Sequence, residues 1–372
     1  MSPEIVCPHI EAAVCGPMGC ITLNRPAALN ALSLDMVRAI TQWLLRWRHD
    51  EQVQVVALRG RHKTLGDFGS FCAGGDIRYF YQAQCDGDPT VEDFFTEEYR
   101  LNHLIHTYGK PIVVFMDGIC MGGGMGLAQG ARWRLVTEHS QLAMPETLIG
   151  LFPDVAGGYF LSRCPGAMGD WLALTGTTLG PAAALRAGLA DAMLPSDAMP
   201  VLWTALMESP RLDAPTLEAL IATYSIAPPA DPTLAEAKID DYFSEPSALA
   251  IVRRLEASSD PWARQNAQAL RQRCPLMLEV TLRQIRRARG LGLADALRLE
   301  RGLMRHCFHP SHLRRKGRQT EVCEGIRARV IDKDQAPCWQ PQRLEDVEED
   351  QVAPFFNSPW PHWAHPLRDL VD

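Results

Sequence analysis

Apolar residues recur every three or four positions after Ser33, at positions 34, 37, 40, 44 and 47. This spacing places them on one face of an amphipathic helix, and serine is a good residue for the position that caps it. Residues 20–23 and 53–58 are short apolar runs of the kind found in strands. The pattern therefore predicts a strand, a helix and a second strand in that order.

The same alternation continues along the first half of the chain. A glycine-containing loop over residues 60–75 precedes a predicted helix over 91–108, and strands are predicted over 112–116 and 132–137. Repeated strand-then-helix order indicates an α/β fold with a largely parallel sheet covered by helices.

Helical patterns dominate after about residue 169, and prolines become frequent in the loops. We therefore expect an α/β core over residues 1–195 and a mainly helical region over 196–352. The final segment, 353–372, contains four prolines and is expected to be an extended, loosely held tail.

Composition narrows the protein classes. The 372 residues are 47% hydrophobic and 22% charged, as in globular proteins, and the net charge of -7 argues against nucleic acid as a partner. Apolar runs fall short of the ~20 residues that span a membrane. Glu4 precedes any apolar run and the 11 cysteines form no C-x-x-C pair, so we expect a bacterial-type cytoplasmic protein without a targeting segment.

A run of three glycines is the strongest local feature. Residues 121–127 read MGGGMGL between a predicted strand and a helix-like segment. Backbone amides of such a turn can bind an oxyanion or a phosphate, although a tight structural turn explains the run equally well. A dinucleotide fingerprint is not formed, because Leu127 and Gln129 occupy the positions of its third glycine.

Two further segments carry candidate chemistry. Residues 71–77 read FCAGGDI, a second glycine-bearing turn after a strand, and residues 144–154 place Glu146 and Asp154 eight positions apart among apolar neighbours. Carboxylates in such surroundings suit acid–base or nucleophilic catalysis. Taken alone, Glu146 is more simply explained as a helix-capping or salt-bridged residue.

Other catalytic patterns are weaker. His306, Cys307, His309 and His312 have ligand-type side chains, but Pro310 interrupts the helix and no carboxylate is suitably placed, so a zinc site is not expected. The chain has no G-x-S-x-G motif, which argues against a serine thioesterase.

Together with residues 24–26 and 29–32, the three segments resemble the crotonase (enoyl-CoA hydratase/isomerase) superfamily over about residues 10–190. The resemblance to its 3-hydroxyisobutyryl-CoA hydrolase subfamily extends to about residue 352, through EEYRLN, VTLRQ and residues 328–335. It implies a ClpP/crotonase-like spiral core of repeated ββα units with a helical C-terminal region.

The resemblance also implies how the glycine turns act. Backbone amides of Ala73 and Gly123 would form an oxyanion hole around a thioester carbonyl, where rigid donors stabilise developing charge. The family pattern further assigns substrate contacts to Leu29, Gly75, Asp76, Ile77 and Gly122.

The carboxylates distinguish the reactions within this superfamily. Hydratases use two glutamates, and here Gly126 stands at the first position and Glu146 at the second. The hydrolase pattern instead combines Glu146 with Glu98 and Asp154. Glu146 would activate water or attack the thioester itself, and the other two would hold the 3-hydroxyl group. Without the resemblance, Glu98 is more simply a charge on an exposed helix face.

The resemblance therefore implies hydrolysis of a short branched 3-hydroxyacyl-CoA, above all 3-hydroxyisobutyryl-CoA in valine catabolism. Coenzyme A would be part of the substrate, with no metal and no redox cofactor, and neither nucleic acid nor membrane is expected as a partner. A homo-oligomer is compatible with the sequence. The alternatives are an enoyl-CoA hydratase or isomerase, and a non-catalytic acyl-CoA-binding subunit.

Arginine clusters near residues 283–289 and 305–318 are either solvated helix faces or contacts for the coenzyme A phosphates.

Overall fold

A computed structural model describes residues 6–229 and 234–372, so the amino-terminal residues behind the targeting expectation lie outside it. The chain forms two compact units, each built from three segments. The first comprises the described residues of Met1–Gly75, Arg100–Ala143 and Thr178–Thr233. The second comprises those of Asp76–Tyr99, Met144–Thr177 and Leu234–Asp372. The units interleave along the chain, whereas the sequence predicts one boundary near residue 195.

The first unit contains two β-sheets. Their strands are β1 (Ile10–Cys15), β2 (Met18–Leu23), β3 (Val55–His62), β4 (Gly66–Gly69), β5 (Ile112–Phe115), β6 (Ile119–Met121), β7 (Trp133–Val136), β8 (Gln141–Ala143) and β9 (Ala192–Met193). The larger sheet has the order β1-β2-β3-β5-β7-β9, with β4 paired to β3. Pairing is parallel from β2 to β9 and antiparallel in β1–β2 and β3–β4, and the short strands β6 and β8 form a separate parallel pair. The predicted, largely parallel sheet is confirmed.

α-Helices are numbered in chain order. Those wholly in the first unit are α1 (Leu34–Trp47), α4 (Gly123–Gln129), α7 (Pro181–Arg186), α8 (Ala198–Glu208) and α9 (Ala214–Tyr224). Those wholly in the second are α2 (Ile77–Asp86), α5 (Gly157–Leu161), α6 (Met168–Thr175), α10 (Glu236–Phe243), α11 (Ala248–Glu256), α12 (Pro261–Arg271), α13 (Pro275–Ala288), α14 (Leu293–Phe308), α15 (Glu321–Ile326) and α16 (Glu349–Val352). Helix α3 (Thr90–His106) begins in the second unit and ends in the first.

The predicted amphipathic helix is α1. Ser33 caps it by accepting a hydrogen bond from the Met36 amide at 3.3 Å, which satisfies one of the free amides of the first turn. Val37, Ile40, Leu44 and Trp47 of the predicted stripe are buried. The stripe therefore packs into the core as its spacing requires.

Strand β5 lies at the centre of the larger sheet, and all four of its residues are buried. One face of this sheet packs on α8 and α9, where Phe115 contacts the ring of Trp203 with centroids 5.3 Å apart. A parallel sheet that is covered by helices explains why its strands read as continuous apolar runs.

The C-terminal segment differs from the expected loose tail. It contains the 3₁₀-helices Ala353–Phe356 and His362–Ala364, and Phe355, Leu367 and Leu370 are buried in the second unit. Apolar side chains anchor this proline-rich segment, which keeps it ordered although it contains little regular structure.

Candidate active site

The two glycine turns approach each other closely in the first unit. Cys72 and Cys120 form a parallel bridge, in which the Cys72 amide donates to the Ile119 carbonyl and the Met121 amide donates to the Cys72 carbonyl, both at 2.9 Å. Gly74 has a φ of +108°, and a Cβ added there would lie 3.4 Å from the Gly123 nitrogen. Only glycine fits this backbone conformation without strain.

The hydrogen bonding of these turns corrects one assignment. The Ala73 amide donates to the Leu29 carbonyl at 3.0 Å, so it is not available to a ligand. The amides of Gly75 and Gly123 make no hydrogen bond with any described residue. Gly75, expected from the sequence only as a substrate contact, therefore replaces Ala73 as the candidate oxyanion donor beside Gly123.

The other expected contact residues have local structural roles. Leu29 has a left-handed φ of +50° and is partly exposed, and the Gly122 amide donates to Ala143 at 3.2 Å. In the second unit, Asp76 caps α2 by accepting from the Tyr79 amide at 3.3 Å, and Ile77 is the first residue of that helix. All of these contacts are made within the protein, and the proposed substrate contacts of these residues stay predictions.

The second unit brings the three predicted carboxylates into one buried cluster. Glu98 lies on α3, Glu146 begins the 3₁₀-helix Glu146–Ile149, and Asp154 lies in the loop before α5. Their exposed fractions are 2%, 6% and 7%. The alternative of Glu98 as a surface charge is therefore wrong.

Burial dominates the electrostatics of this cluster. It raises the pKa of Glu98 well above the ordinary range, helped by the charges of Asp154 and Glu146. Burial and then the charge of Asp154 likewise raise the pKa of Glu146. Burial raises the pKa of Asp154 to about 6, against the hydrogen bond donated by the Tyr99 hydroxyl at 2.8 Å, which favours the ionised form.

Two carboxylate oxygens in this cluster lack a partner. Glu98 Oε1 and Glu146 Oε2 are buried and make no hydrogen bond with the described residues. A buried polar atom without a partner is costly and usually marks a place where water or a ligand binds. A carboxyl group with a raised pKa and a free oxygen is suited to proton transfer near neutral pH.

Sequence reasoning missed two members of the cluster, Tyr99 and Glu300. Tyr99 lies inside the EEYRLN segment, but only its contact with Asp154 gives it a role. Glu300 on α14 is fully buried, and burial followed by the charge of Asp154 raises its pKa to about 8. Its position in the apolar stripe of α14, between Leu297 and Met304, is the signal that could have identified it.

The weaker candidates take ordinary contacts. His306 and His312 contact the backbone carbonyls of Asn357 and Gln351, and His309 pairs with Glu92 at 3.3 Å. Within residues 6–229 and 234–372, no group of three or more histidine, cysteine or acidic side chains is placed to bind a metal. Across the same ranges no helix is both long and apolar enough to cross a membrane.

Several arginines of the predicted clusters are already paired with acids. Arg286 and Arg289 both contact Asp170 at 3.1 Å, and Arg283 contacts Glu349 at 2.6 Å. These pairs leave fewer cations free for phosphate than the sequence count suggests.

The chain matches a known protein family over most of its length. The model of the enoyl-CoA hydratase/isomerase family matches residues 18–356. A mitochondrial 3-hydroxyisobutyryl-CoA hydrolase of Xenopus tropicalis is 40% identical over 349 residues, which cover 92% of this chain and 87% of the relative. A probable 3-hydroxyisobutyryl-CoA hydrolase of Arabidopsis thaliana is 36% identical, and the match covers 90% of this chain and 88% of the relative.

Two solved structures resemble this protein over 94% of its chain. A carnitinyl-CoA dehydratase from Mycobacterium thermoresistibile superposes with a TM-score of 0.84 at 34% identity, covering 94% of this chain and 97% of its own. An enoyl-CoA hydratase from Rhodobacter sphaeroides superposes with a TM-score of 0.83 at 36% sequence identity. The match covers 94% of this chain and 98% of the hydratase chain. These matches confirm the predicted crotonase-type fold. The chain therefore belongs to the enoyl-CoA hydratase/isomerase family, and over most of its length it is similar to the 3-hydroxyisobutyryl-CoA hydrolases.

Proposed function

We propose that this protein hydrolyses the thioester of a short branched 3-hydroxyacyl-CoA, with 3-hydroxyisobutyryl-CoA as the preferred substrate. The observation that carries the proposal is the buried Glu146 with its unpartnered oxygen, clustered with Asp154 and Glu98. Gly126, at the position of the first hydratase glutamate, lies buried in α4 and offers no acid or base. The relatives named as 3-hydroxyisobutyryl-CoA hydrolases support the substrate.

The free amides of Gly75 and Gly123 would donate to the thioester oxygen as it gains negative charge. Backbone donors are rigid and need no proton transfer, and loss of one such donor typically costs about 3 to 4 kcal/mol of transition-state stabilisation.

Glu146 supports either of two balanced routes. As a general base, its carboxylate takes a proton from water while the water oxygen bonds to the carbonyl carbon. Collapse then breaks the C–S bond, and the proton passes to the departing sulfur. As a nucleophile, its free oxygen bonds to the carbonyl carbon and expels the thiolate, and water then cleaves the resulting anhydride. Both routes release coenzyme A and the free hydroxy acid.

Asp154 and Glu98 would recognise the 3-hydroxyl group. Asp154, held by Tyr99, would in its ionised form accept a hydrogen bond from the 3-hydroxyl group. Glu98, whose pKa is raised by burial and by the other carboxylates, would be protonated and able to donate. The pair thus offers one acceptor and one donor to a single hydroxyl.

Hydration of an enoyl-CoA is the second candidate, favoured by the names of the two solved structures that match 94% of the chain. Hydration needs groups that deliver hydroxide and a proton to adjacent carbons. Because Gly126 removes one of the two family glutamates, Glu98 or Asp154 would have to replace it.

A comparison of two absorbance assays tests the proposal. The purified protein is expected to release free thiol from 3-hydroxyisobutyryl-CoA and to leave the absorbance of 2-enoyl-CoA esters unchanged. Hydration without thiol release would establish the second candidate instead. No turnover of any ester, together with binding, would indicate a non-catalytic acyl-CoA-binding subunit.

The proposed chemistry uses no resident metal or redox cofactor, and acyl-CoA is the only small-molecule partner it requires. Neither nucleic acid nor membrane has a role in it, and a homo-oligomer is compatible with it. The 11 cysteines suit a reducing compartment such as the cytoplasm, although the animal relatives are named as mitochondrial.

A further inference from the structure

The loop that carries Asp154 has an unfavourable backbone conformation. Val155 and Ala156 have φ values of +55° and +69°. This left-handed region is disfavoured for residues with a Cβ and is a genuine outlier for a β-branched one. Such a conformation persists only where the surrounding contacts over-determine it, and these cases concentrate at functional sites.

Glu300 supplies the contacts that hold this loop. Its carboxylate accepts hydrogen bonds from the Ala156 amide and from the Gly158 amide, both at 2.8 Å. A side chain at position 158 would crowd the Glu300 carboxylate, because an added Cβ would lie 3.0 Å from its Oε1 atom. Glycine at this position leaves room for the carboxylate. The two bonds fix the amides on either side of the residue that begins α5.

Gln284 of α13 completes the arrangement from a second helix. Its side-chain nitrogen donates to the Pro153 carbonyl at 2.7 Å and to Glu300 Oε1 at 3.3 Å. Both side chains are fully buried. Burying an ionisable group in a helix stripe is unfavourable unless its hydrogen bonds are made, and here these bonds lead to the residues on both sides of Asp154.

Arg301, the next residue of α14, contacts helix α3, which carries Glu98 and Tyr99 of the carboxylate cluster. Arg301 donates through Nε to Thr96 Oγ1 at 3.0 Å and pairs with Glu92, both on α3. Thr96 lies within one helical turn of Glu98 and Tyr99, and Glu92 lies about two turns before them. Adjacent residues of α14 therefore fix both elements that place hydrogen-bonding groups around Asp154.

We propose that Glu300 is a positioning residue that fixes the Asp154 loop and thereby sets the selectivity of the protein for the 3-hydroxyl group. The inference rests on the proposed function, because that function assigns hydroxyl recognition to Asp154. Glu300 itself does not touch the substrate. Its effect reaches the substrate through the backbone of residues 153–158.

The decisive variant is Glu300→Gln, which keeps the shape of the side chain. At pH 9, above the pKa of about 8, Glu300 is ionised and accepts from both backbone amides. A neutral amide can accept from only one of them and turns a donor toward the other, so one hydrogen bond is lost, and the variants are compared at this pH. Glu279→Gln is the matched control. Glu279 on α13 also accepts from two backbone amides, those of Ala248 and Leu249 at 3.2 and 3.0 Å, but it holds the start of α11.

The readout is the ratio of kcat/KM for 3-hydroxyisobutyryl-CoA to that for isobutyryl-CoA, which lacks the hydroxyl. We expect Glu300→Gln to lower this ratio by about tenfold or more, because a misplaced acceptor loses its hydroxyl contact, while the rate on isobutyryl-CoA changes by only about threefold. Glu279→Gln should leave the ratio unchanged. Loss of both activities by one factor in Glu300→Gln would overturn the inference and leave Glu300 a merely structural residue.

Two additional measurements keep the test decisive. If Glu300→Gln does not fold, Gln284→Met, which removes the donor to Pro153, should lower the same ratio, and an unchanged ratio would overturn the inference. If the wild-type protein releases no thiol, the proposed function fails. Calorimetric affinities for the same two esters then decide the inference, which requires that Glu300→Gln reduce the preference for the hydroxylated ester.

Discussion

Replacing Tyr99 with phenylalanine tests the role of the ionised Asp154 most directly. The substitution removes one hydroxyl, which donates to Asp154 Oδ2 at 2.8 Å, and preserves the ring within the buried cluster. Tyr99 lowers the pKa of Asp154, against the larger effect of burial that raises it to about 6. Its loss must therefore raise that pKa further.

The size of the shift follows from the hydrogen bond. A bond to a charged group contributes about 1.5 to 3 kcal/mol, and one pKa unit corresponds to about 1.4 kcal/mol, so the pKa of Asp154 should rise by about one to two units. At pH 7 the ionised fraction would fall from about nine-tenths to between about a half and a tenth. Activity that needs the ionised form is present above the pKa and lost as pH falls through it. The variant should lose about two- to tenfold at pH 7 and recover as pH rises toward 9.

The assay is the ratio of kcat/KM for 3-hydroxyisobutyryl-CoA to that for isobutyryl-CoA, measured from pH 5 to 9. Glu146 acts on both substrates and cancels from the ratio. Glu98 and Glu300 are present in the wild type and the variant, so the difference between the two profiles reports Asp154. Tyr108→Phe, which removes a tyrosine hydroxyl donating to the Leu44 carbonyl at 2.7 Å, is the control and should leave the profile unchanged. A profile for Tyr99→Phe that coincides with the wild type, or that moves toward lower pH, would refute the reasoning.

Single substitutions at Glu146, Asp154 and Gly150 test the site and its packing separately. Glu146→Gln should reduce thiol release by at least ~100-fold with little change in ester affinity, because it removes the base or nucleophile, and near-normal turnover would return Glu146 to a structural role. Asp154→Ala should lower kcat/KM for the 3-hydroxy ester much more than for its deoxy analogue; equal losses would mean that it supports the fold or Glu146 instead. Gly150→Ala should lower the free energy of unfolding more than Gly87→Ala in denaturant titrations. Both glycines have φ near +70°, a conformation that costs alanine about 1 to 2 kcal/mol. Only a Cβ added at Gly150 meets a neighbour, because it would lie 2.3 Å from the Glu321 carbonyl oxygen. Equal destabilisation by the two substitutions would contradict this packing.

The regular elements follow largely from the sequence, because local periodicity reports which face of an element is buried. The predicted helix after Ser33 is found over Leu34–Trp47, and the strand predicted over residues 112–116 is Ile112–Phe115. Several elements were not predicted, among them the strands β1, β4, β6, β8 and β9 and the helix α2. Strand β4 (Gly66–Gly69) has two glycines and depends on its pairing with β3, and α2 (Ile77–Asp86) buries Phe80 and Ala83 without a clear stripe.

Long-range packing decided the boundaries that the sequence placed incorrectly. Leu367 of the proline-rich terminus is fully buried in the second unit, although its neighbours carry the signals of a loose segment. The single boundary near residue 195 is replaced by two units of three segments each. Composition along the chain cannot reveal which distant segments share a core.

The available chemistry can be identified from the amino-acid sequence: two glycine turns, the carboxylates of Glu146, Asp154 and Glu98, and a glycine at position 126. Which of these groups are free to act depends on contacts between distant parts of the chain. The amide of Ala73 is occupied by a carbonyl 44 positions earlier in the chain, and Glu300 reaches the Asp154 loop from 142 and 144 positions away. Hydrogen-bond partners and the extent of burial are set by such distant neighbours, and they fix the proton affinity of a carboxylate and the availability of an amide.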